Sequence, residues 1–327
     1  MMTFVTSLRR TLAGREARAR AWLTTRQRIE YILFRAAVAL VRAVPLDTIA
    51  PIAALLSREF WIRNKRHRRA LANIAKAMPE LSPEQREAII RSMWENVGRV
   101  IAEAAHAHRF ISEPNRLDPV DMEILDGYAK TRGLYLIVSL HTGNWEIALL
   151  RQMLLGFQPA AFYRVVENPL VDAYIRQARE RIIPGGLFAV RNTRDGRSSV
   201  DSTSRAMVSC LRQGLPIGVL ADHRDHDGIN VTFFGQVVRV SRVPVTLALQ
   251  FNAPLCVGRT IRIGRQSRFV GDGVVIDIPR TADRHADIQA ATAAIFRQFE
   301  IWIRQYPDQW LWSQAPFVTS AEVYTQT

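Results

Sequence analysis

Few features of this 327-residue chain fit the common ways of holding a protein together or arming it for catalysis. There are two cysteines, Cys210 and Cys256. They are far apart and in no metal-like spacing, so a disulfide framework or zinc module is not expected and a reducing compartment fits. No uninterrupted apolar run reaches the ~20 residues of a transmembrane helix. The apolar block near the N-terminus begins late and has no small-residue cleavage site after it, which argues against a signal peptide. No GxSxG elbow is present to present a serine nucleophile. No RNA-binding aromatic or glycine pattern and no helix-turn-helix or zinc signature occurs. Acidic residues are scarce at one end. Residues 1–70 hold fifteen Lys/Arg against four Asp/Glu, so that end carries eleven of the fourteen excess positive charges.

What is present begins with that basic end. Apolar blocks YILF (31–34), AAVALV (36–41) and IAPIAALL (49–56) are interrupted by Arg35, Arg42 and Asp47. Apolar segments flanked by arginine suit a bilayer surface, with the side chains' charged heads among the lipid head groups. A helical hairpin packed on its own domain is the alternative. The run RNKRHRR (63–69) suits phosphates of either a lipid or a nucleic acid. The expected organisation is a basic, apolar helical membrane-associating region over 1–70 and an α/β domain over 71–327.

The texture along the chain supports that division. Helical composition covers 15–44, stopped by Pro45, and a second helix is expected over 48–61. RRALANIAKAMPEL (68–81) reads as a helix stopped by Pro79. Ser82-Pro83-Glu84-Gln85 is a capping box with proline at the first helical position, opening a helix to about 106. Strands are then expected at 134–140, 159–166, 187–191, 216–223, 255–263 and 273–278. Helices are expected at 144–154, 171–182, 200–214, 243–254 and 285–306. This alternation implies an α/β fold with a largely parallel central sheet.

Functional groups collect where strands of such a sheet end. HTGNWE (141–146) follows the apolar run LYLIVSL. On one continuous helix, residues five apart point about 140° away from each other and cannot pair. A strand–turn–helix allows His141 to fold back onto Glu146, with Gly143 supplying an unusual backbone and Asn144 an N-cap. A histidine oriented by a carboxylate can take a proton from a hydroxyl that attacks a carbonyl. Without an enzyme nucleophile in view, that hydroxyl belongs to the substrate, and amides at the turn around Gly143 and Asn144 are candidate oxyanion donors. ADHRDHDG (221–228) fails the calcium-loop pattern and reads as a polar loop at a strand end rather than a metal site. Arg164, before the Asn168-Pro169 turn, suits a grip on phosphate or carboxylate, or a surface ion pair. YPDQWLWSQAPF (306–317) suits core packing or a membrane-facing edge.

Together, ANIAKAMPELSPEQRE (72–87), SLHTGNWE (139–146), YRVVENPLVD (163–172), ADHRDHDGINVTFFGQ (221–236) and YPDQWLW (306–312) resemble the bacterial lipid A late acyltransferases, the lauroyl and myristoyl transferases of the lysophospholipid acyltransferase-like superfamily. The resemblance implies a glycerol-3-phosphate acyltransferase-like mixed, largely parallel sheet flanked by helices. It implies His141 as general base and Glu146 as its partner. It places Arg164, Asn168, Asp222, Arg224 and Gly235 in substrate binding. It further implies acyl carrier protein as thioester donor, a lipid A-type acceptor at the cytoplasmic face of the inner membrane, and neither metal nor organic cofactor. Two positions depart from the family pattern. Thr232 stands where proline is usual, and Ser313-Gln314-Ala315-Pro316-Phe317 replaces a His-then-Arg pattern. Both bear on the acceptor, for which a lyso-lipid or a phosphatidylinositol mannoside is the alternative. Nucleic-acid binding by the basic end is the reading from another class.

Overall fold

The structure, a computed structural model, describes residues 24–118, 134–190 and 197–317. Residues 1–23, with the first five arginines of the basic end, lie outside the described residues.

Among the described residues four helices come first: α1 (Thr25–Ala43), α2 (Leu46–Trp61), α3 (Lys65–Ala77) and α4 (Pro83–Ala105). Their boundaries follow local chemistry. Pro45 separates α1 from α2. Asn64 caps α3 by accepting from the Arg66 amide. The capping box of α4 forms as expected, with Ser82 Oγ accepting from the Gln85 amide at 3.2 Å and Gln85 Oε1 from the Ser82 amide at 2.8 Å. Helix α2 packs on α4: Ser57 Oγ donates to the Trp94 carbonyl, and Gly98 leaves room for the Ala53 carbonyl, which a Cβ there would meet at 2.2 Å. The short α5 (Ala107–Ser112) follows.

The later strands and helices of the described residues form a sheet, its flanking helices and a separate hairpin. They are β1 (Leu117–Asp118), β2 (Leu136–Ser139), α6 (Leu150–Leu154), β3 (Ala160–Arg164), α7 (Pro169–Glu180), β4 (Gly186–Val190), α8 (Arg197–Arg212) and β5 (Ile217–Leu220). After them come β6 (Arg224–Phe233), β7 (Gln236–Val240), α9 (Val243–Phe251), β8 (Leu255–Arg262), β9 (Phe269–Ile276) and α10 (Arg284–Gln305). Seven strands pair in the order β1-β9-β8-β2-β5-β3-β4, parallel except between β8 and β9. The expected α/β class and largely parallel sheet are thus present. Strand β2 sits at the centre with all four residues buried, as a strand covered on both faces must be.

Three local expectations need correction. The stretch 144–154 is not one helix. Asn144 takes the Glu146 amide on its side chain and the Ile147 amide on its carbonyl, so the chain makes a 3-10 turn over Trp145–Ile147 before α6. Of the polar stretch 221–228 after β5, residues 221–223 form the expected loop, but 224–228 open β6, which pairs with β7 in a separate hairpin. Val231 and Phe233 alternate into the core, and Phe234 and Gly235 turn the hairpin with φ of 51° and 70°. That pair of positive φ values is the two-residue hairpin geometry. The last strand begins at Phe269 rather than 273, because it pairs along the full length of β8.

Candidate active site

The parallel register brings His141 and Asp222 together. Ser139 of β2 lies opposite Leu220 of β5, so His141 and Asp222 each leave the sheet two residues beyond the same rung. His141 Nδ1 donates to Asp222 Oδ1 at 2.7 Å, and the His141 amide donates to Oδ2 at 2.7 Å. Trp310 Nε1 donates to the same Oδ2 at 2.8 Å. Asp222 is buried with all three donors around it. Burial alone would raise the Asp222 carboxyl, but the His141 charge and hydrogen bonds outweigh it and hold it below the usual carboxylate range. Burial likewise pulls the His141 imidazole down, and the Asp222 charge and hydrogen bond, with a smaller push from Glu146, raise it above the ordinary value.

Glu146 is therefore felt by the imidazole as a nearby charge, while the Nδ1 partner is Asp222. The Glu146 carboxylate is held by Arg179 of α7 through two bonds, Nε to Oε2 at 2.8 Å and Nη2 to Oε1 at 2.5 Å. Trp145 packs edge-on to the imidazole with ring centres 5.4 Å apart.

The turn that presents His141 rests on a buried polar floor. Gly143 has φ of 55°, and a Cβ there would meet the Thr260 carbonyl at 1.8 Å, so glycine is required on both counts. Its carbonyl accepts from Asn96 Nδ2 at 2.8 Å. Asn144 Nδ2 donates to Glu103 Oε2 at 2.7 Å. Glu103 is wholly buried and forms a two-pronged pair with Arg262, and Ser267 Oγ donates to it at 2.7 Å. Arg262 Nε in turn donates to Asn96 Oδ1, closing the network. At the turn expected to supply an oxyanion site, the Gly143 amide donates to the Gln309 carbonyl at 3.1 Å, and two residues past Asn144 the Glu146 amide donates to Asn144 Oδ1 at 3.0 Å. Both are thus already partnered.

His141 opens onto a cleft of about 1030 Å³. Part of its wall is apolar, including Ile137, Phe162, Leu187 and Val257, and part is cationic, including Arg66, Arg69, Arg164 and Arg224. Arg164 is exposed at the end of β3. Arg66 and Arg69 come from α3, so two arginines of the RNKRHRR run turn to the same cleft. The other two residues expected at the substrate lie elsewhere. Asn168 caps α7 by accepting from the Leu170 and Val171 amides, and its Nδ2 donates to the Gln27 carbonyl and Glu30 of α1. Gly235 is exposed at the tip of the β6–β7 hairpin and is not among the residues lining the cleft. A capping asparagine and a turn glycine account for both positions without a ligand. Sequence spacing missed Asp222 as the Nδ1 partner, Arg179 and Trp310. The signal that finds Asp222 is strand pairing, since it needs β2 and β5 to be neighbours.

The bacterial lipid A biosynthesis acyltransferase family model matches residues 17–319. The Escherichia coli lipid A biosynthesis myristoyltransferase is 25% identical over 295 residues, covering 85% of this chain and 83% of its own length. The Shigella flexneri lipid A biosynthesis acyltransferase 1 matches to the same extent. The phosphatidylinositol mannoside acyltransferase of Mycolicibacterium smegmatis is 25% identical over 279 residues, covering 83% of this chain and 86% of its own length.

Proposed function

This chain belongs to the bacterial lipid A biosynthesis acyltransferase family and is an O-acyltransferase, and on that premise we propose that it moves a fatty acyl chain from acyl carrier protein to a hydroxyl of a lipid A-type glycolipid, with His141 as general base and Asp222 as the carboxylate that orients it. The observation that carries this reading is the 2.7 Å bond from His141 Nδ1 to Asp222 at the wall of the cleft. A proton fixed on Nδ1 leaves Nε2 as the basic nitrogen. Nε2 takes the proton from the acceptor hydroxyl as its oxygen bonds to the thioester carbonyl carbon. The tetrahedral centre then collapses, the C–S bond breaks, and the departing sulfur takes the proton from His141. Asp222 stabilises the imidazolium between the two transfers. Its three donors suit it to stay ionised while doing so. Glu146, gripped by Arg179, fixes the cleft wall beside His141 and adds negative potential.

The apolar wall suits an acyl chain, and the arginines suit the acidic groups of a phosphorylated lipid. The first helices suit attachment at the cytoplasmic face of the inner membrane. Ile32, Leu33 and Leu40 of α1 and Leu56 and Phe60 of α2 are each about two-thirds exposed. Immersing a large apolar side chain contributes roughly 1.5–3 kcal/mol, so a handful suffices for firm binding to a bilayer surface. Among the described residues no helix is long and apolar enough to cross a membrane, and a surface-lying segment needs none. Co-flotation with anionic lipid vesicles tests this attachment, and its loss on Leu33→Asp with Leu56→Asp is the expected result. A protein that stays in the soluble fraction with wild-type sequence contradicts it.

The acceptor has a second reading. Ser313-Gln314-Ala315 departs from the pattern expected of lipid A enzymes, and the Mycolicibacterium smegmatis relative is named for a phosphatidylinositol mannoside. Lipid mass spectrometry of a deletion strain separates the two. Underacylated lipid A supports the first acceptor, and normal lipid A with another lipid lacking one acyl chain supports the second.

A further inference from the structure

The aromatic run near the C-terminus is not absorbed by the general-base reading. In the fold it forms a strap across the site rather than a surface edge. The Leu311 amide donates to the His141 carbonyl at 3.0 Å, and the Gly143 amide donates to the Gln309 carbonyl, so residues 309–311 pair with 141–143 as a short antiparallel bridge. The Gln309 side chain clips the strap to β8: Oε1 accepts from the Arg262 amide at 2.8 Å, and Nε2 donates to the Arg262 carbonyl at 3.0 Å. Trp310 stands between these anchors with no exposed surface. Its ring is walled by Phe233 and Trp312, with centres 5.8 and 4.7 Å away. A packed indole cannot swing, so the direction of its N–H is fixed by the core and not by the carboxylate it meets.

We propose that Trp310 is a positioning residue for the transfer reaction, holding Asp222 Oδ2 so that Oδ1 stays aimed at His141 Nδ1. Free rotation about the Asp222 side chain would let the carboxylate turn away from the ring. The His141 amide resists this from one side and the indole from the other. The core thereby fixes the orientation of the base through a residue that meets neither donor nor acceptor. This inference rests on His141 acting as the base. The charged groups facing the imidazole are Asp222 from the end of β5 and Glu146, with Arg179 of α7 behind it.

The test uses two changes that remove the N–H and keep an aromatic ring. One is Trp310→Phe. The other replaces the indole of Trp310 by its benzothiophene isostere, which has the same outline with sulfur in place of N–H and guards against a cavity from the smaller ring. A hydrogen bond to a charged group contributes enough that kcat should fall about 10- to 100-fold, with KM little changed. On an Asp222→Asn background the same changes should cost less than about threefold, because a residue that acts only through the carboxylate has nothing left to hold. The His141 imidazole, picked out among the seven histidines by the signal lost in His141→Gln, should titrate closer to an ordinary histidine in both variants than in the wild type.

Loss of activity that multiplies fully with Asp222→Asn overturns the proposal, as does an imidazole titration that stays put or moves upward. An upward move would show the N–H dipole weakening the Asp222 charge without holding it in place. The titration needs no substrate, so it separates this inference from the reading it rests on. If His141→Gln keeps full acyl transfer, the general-base reading fails and takes the proposal with it. If His141→Gln is inactive and the isostere matches wild type in rate and titration, only the role of Trp310 fails.

Discussion

Asp222 and Glu146 both raise the His141 imidazole, yet they are held in opposite ways. Asp222 is buried, and its two oxygens take three hydrogen bonds, two from His141 itself and one from Trp310. Glu146 is half-buried and is matched by the single guanidinium of Arg179. A carboxylate surrounded by donors from the residue it serves is bound to that residue's protonation state. A carboxylate neutralised by its own arginine acts at a distance and weakly, since the positive partner cancels most of its field. The difference teaches that closeness in sequence is a poor guide to which acid a histidine uses. Glu146 is five residues away and Asp222 is 81, and the parallel pairing of β2 and β5 reverses the order in space.

Removing the shared imidazole gives the largest effect. His141→Ala should lower kcat for acyl transfer roughly 10³- to 10⁴-fold with the fold intact by circular dichroism. Wild-type turnover in that variant would end the comparison by showing that neither carboxylate serves a base. The floor beneath the turn comes next. Glu103→Gln leaves Arg262 charged and buried against a neutral amide, a change of the kind that costs about 3–5 kcal/mol. Its urea midpoint should fall sharply, and an unchanged midpoint would mean that the turn does not depend on this network.

The pH dependence sharpens the comparison further. His141 is raised in the folded state, so its stabilisation is complete below the unfolded imidazole value of about 6.5 and fades as pH climbs through the folded one. Asp222 is lowered, so its stabilisation is present above the unfolded value of about 3.9 and is lost as pH falls through the folded one. The stability gap between wild type and Asp222→Asn should therefore be widest between those two values and narrow on either side. Transfer activity has the opposite slope to the His141 stability term, rising with pH as the imidazole gives up its proton. The smallest effect belongs to the cleft mouth. Arg69→Gln should raise KM for a phosphorylated acceptor by about twofold to fivefold and leave kcat nearly unchanged, since a solvent-facing charge pair is worth up to about 1 kcal/mol.

How far the sequence carries depends on whether a feature is local. The capping box at Ser82, the stop at Pro45 and the buried run of β2 are written in a few adjacent residues, and each forms where the sequence places it. The need for glycine at 143 and for a capping asparagine at 144 is equally local and appears in the turn. The β6–β7 hairpin was masked by the charges of ADHRDHDG, although Ile229, Val231 and Phe233 keep the two-residue alternation of a strand. Asp222, Trp310 and the Glu103–Arg262 pair are long-range partners of HTGNWE, between 38 and 169 positions away from it in the chain. No spacing rule reaches them, and they are found only once the strand order is known. Asn168 and Gly235 illustrate the reverse case. A family pattern marks them beside substrate-binding residues, while their side-chain and backbone geometry answers to a helix start and a hairpin turn.

The most direct measurement compares kcat for acyl transfer in Asp222→Asn and Glu146→Gln under the same conditions, at a pH above the His141 titration. With Asp222 as the orienting carboxylate, Asp222→Asn should lose roughly 10²- to 10³-fold while Glu146→Gln stays within about tenfold of wild type. A large loss in Glu146→Gln beside near-normal turnover in Asp222→Asn would contradict the account.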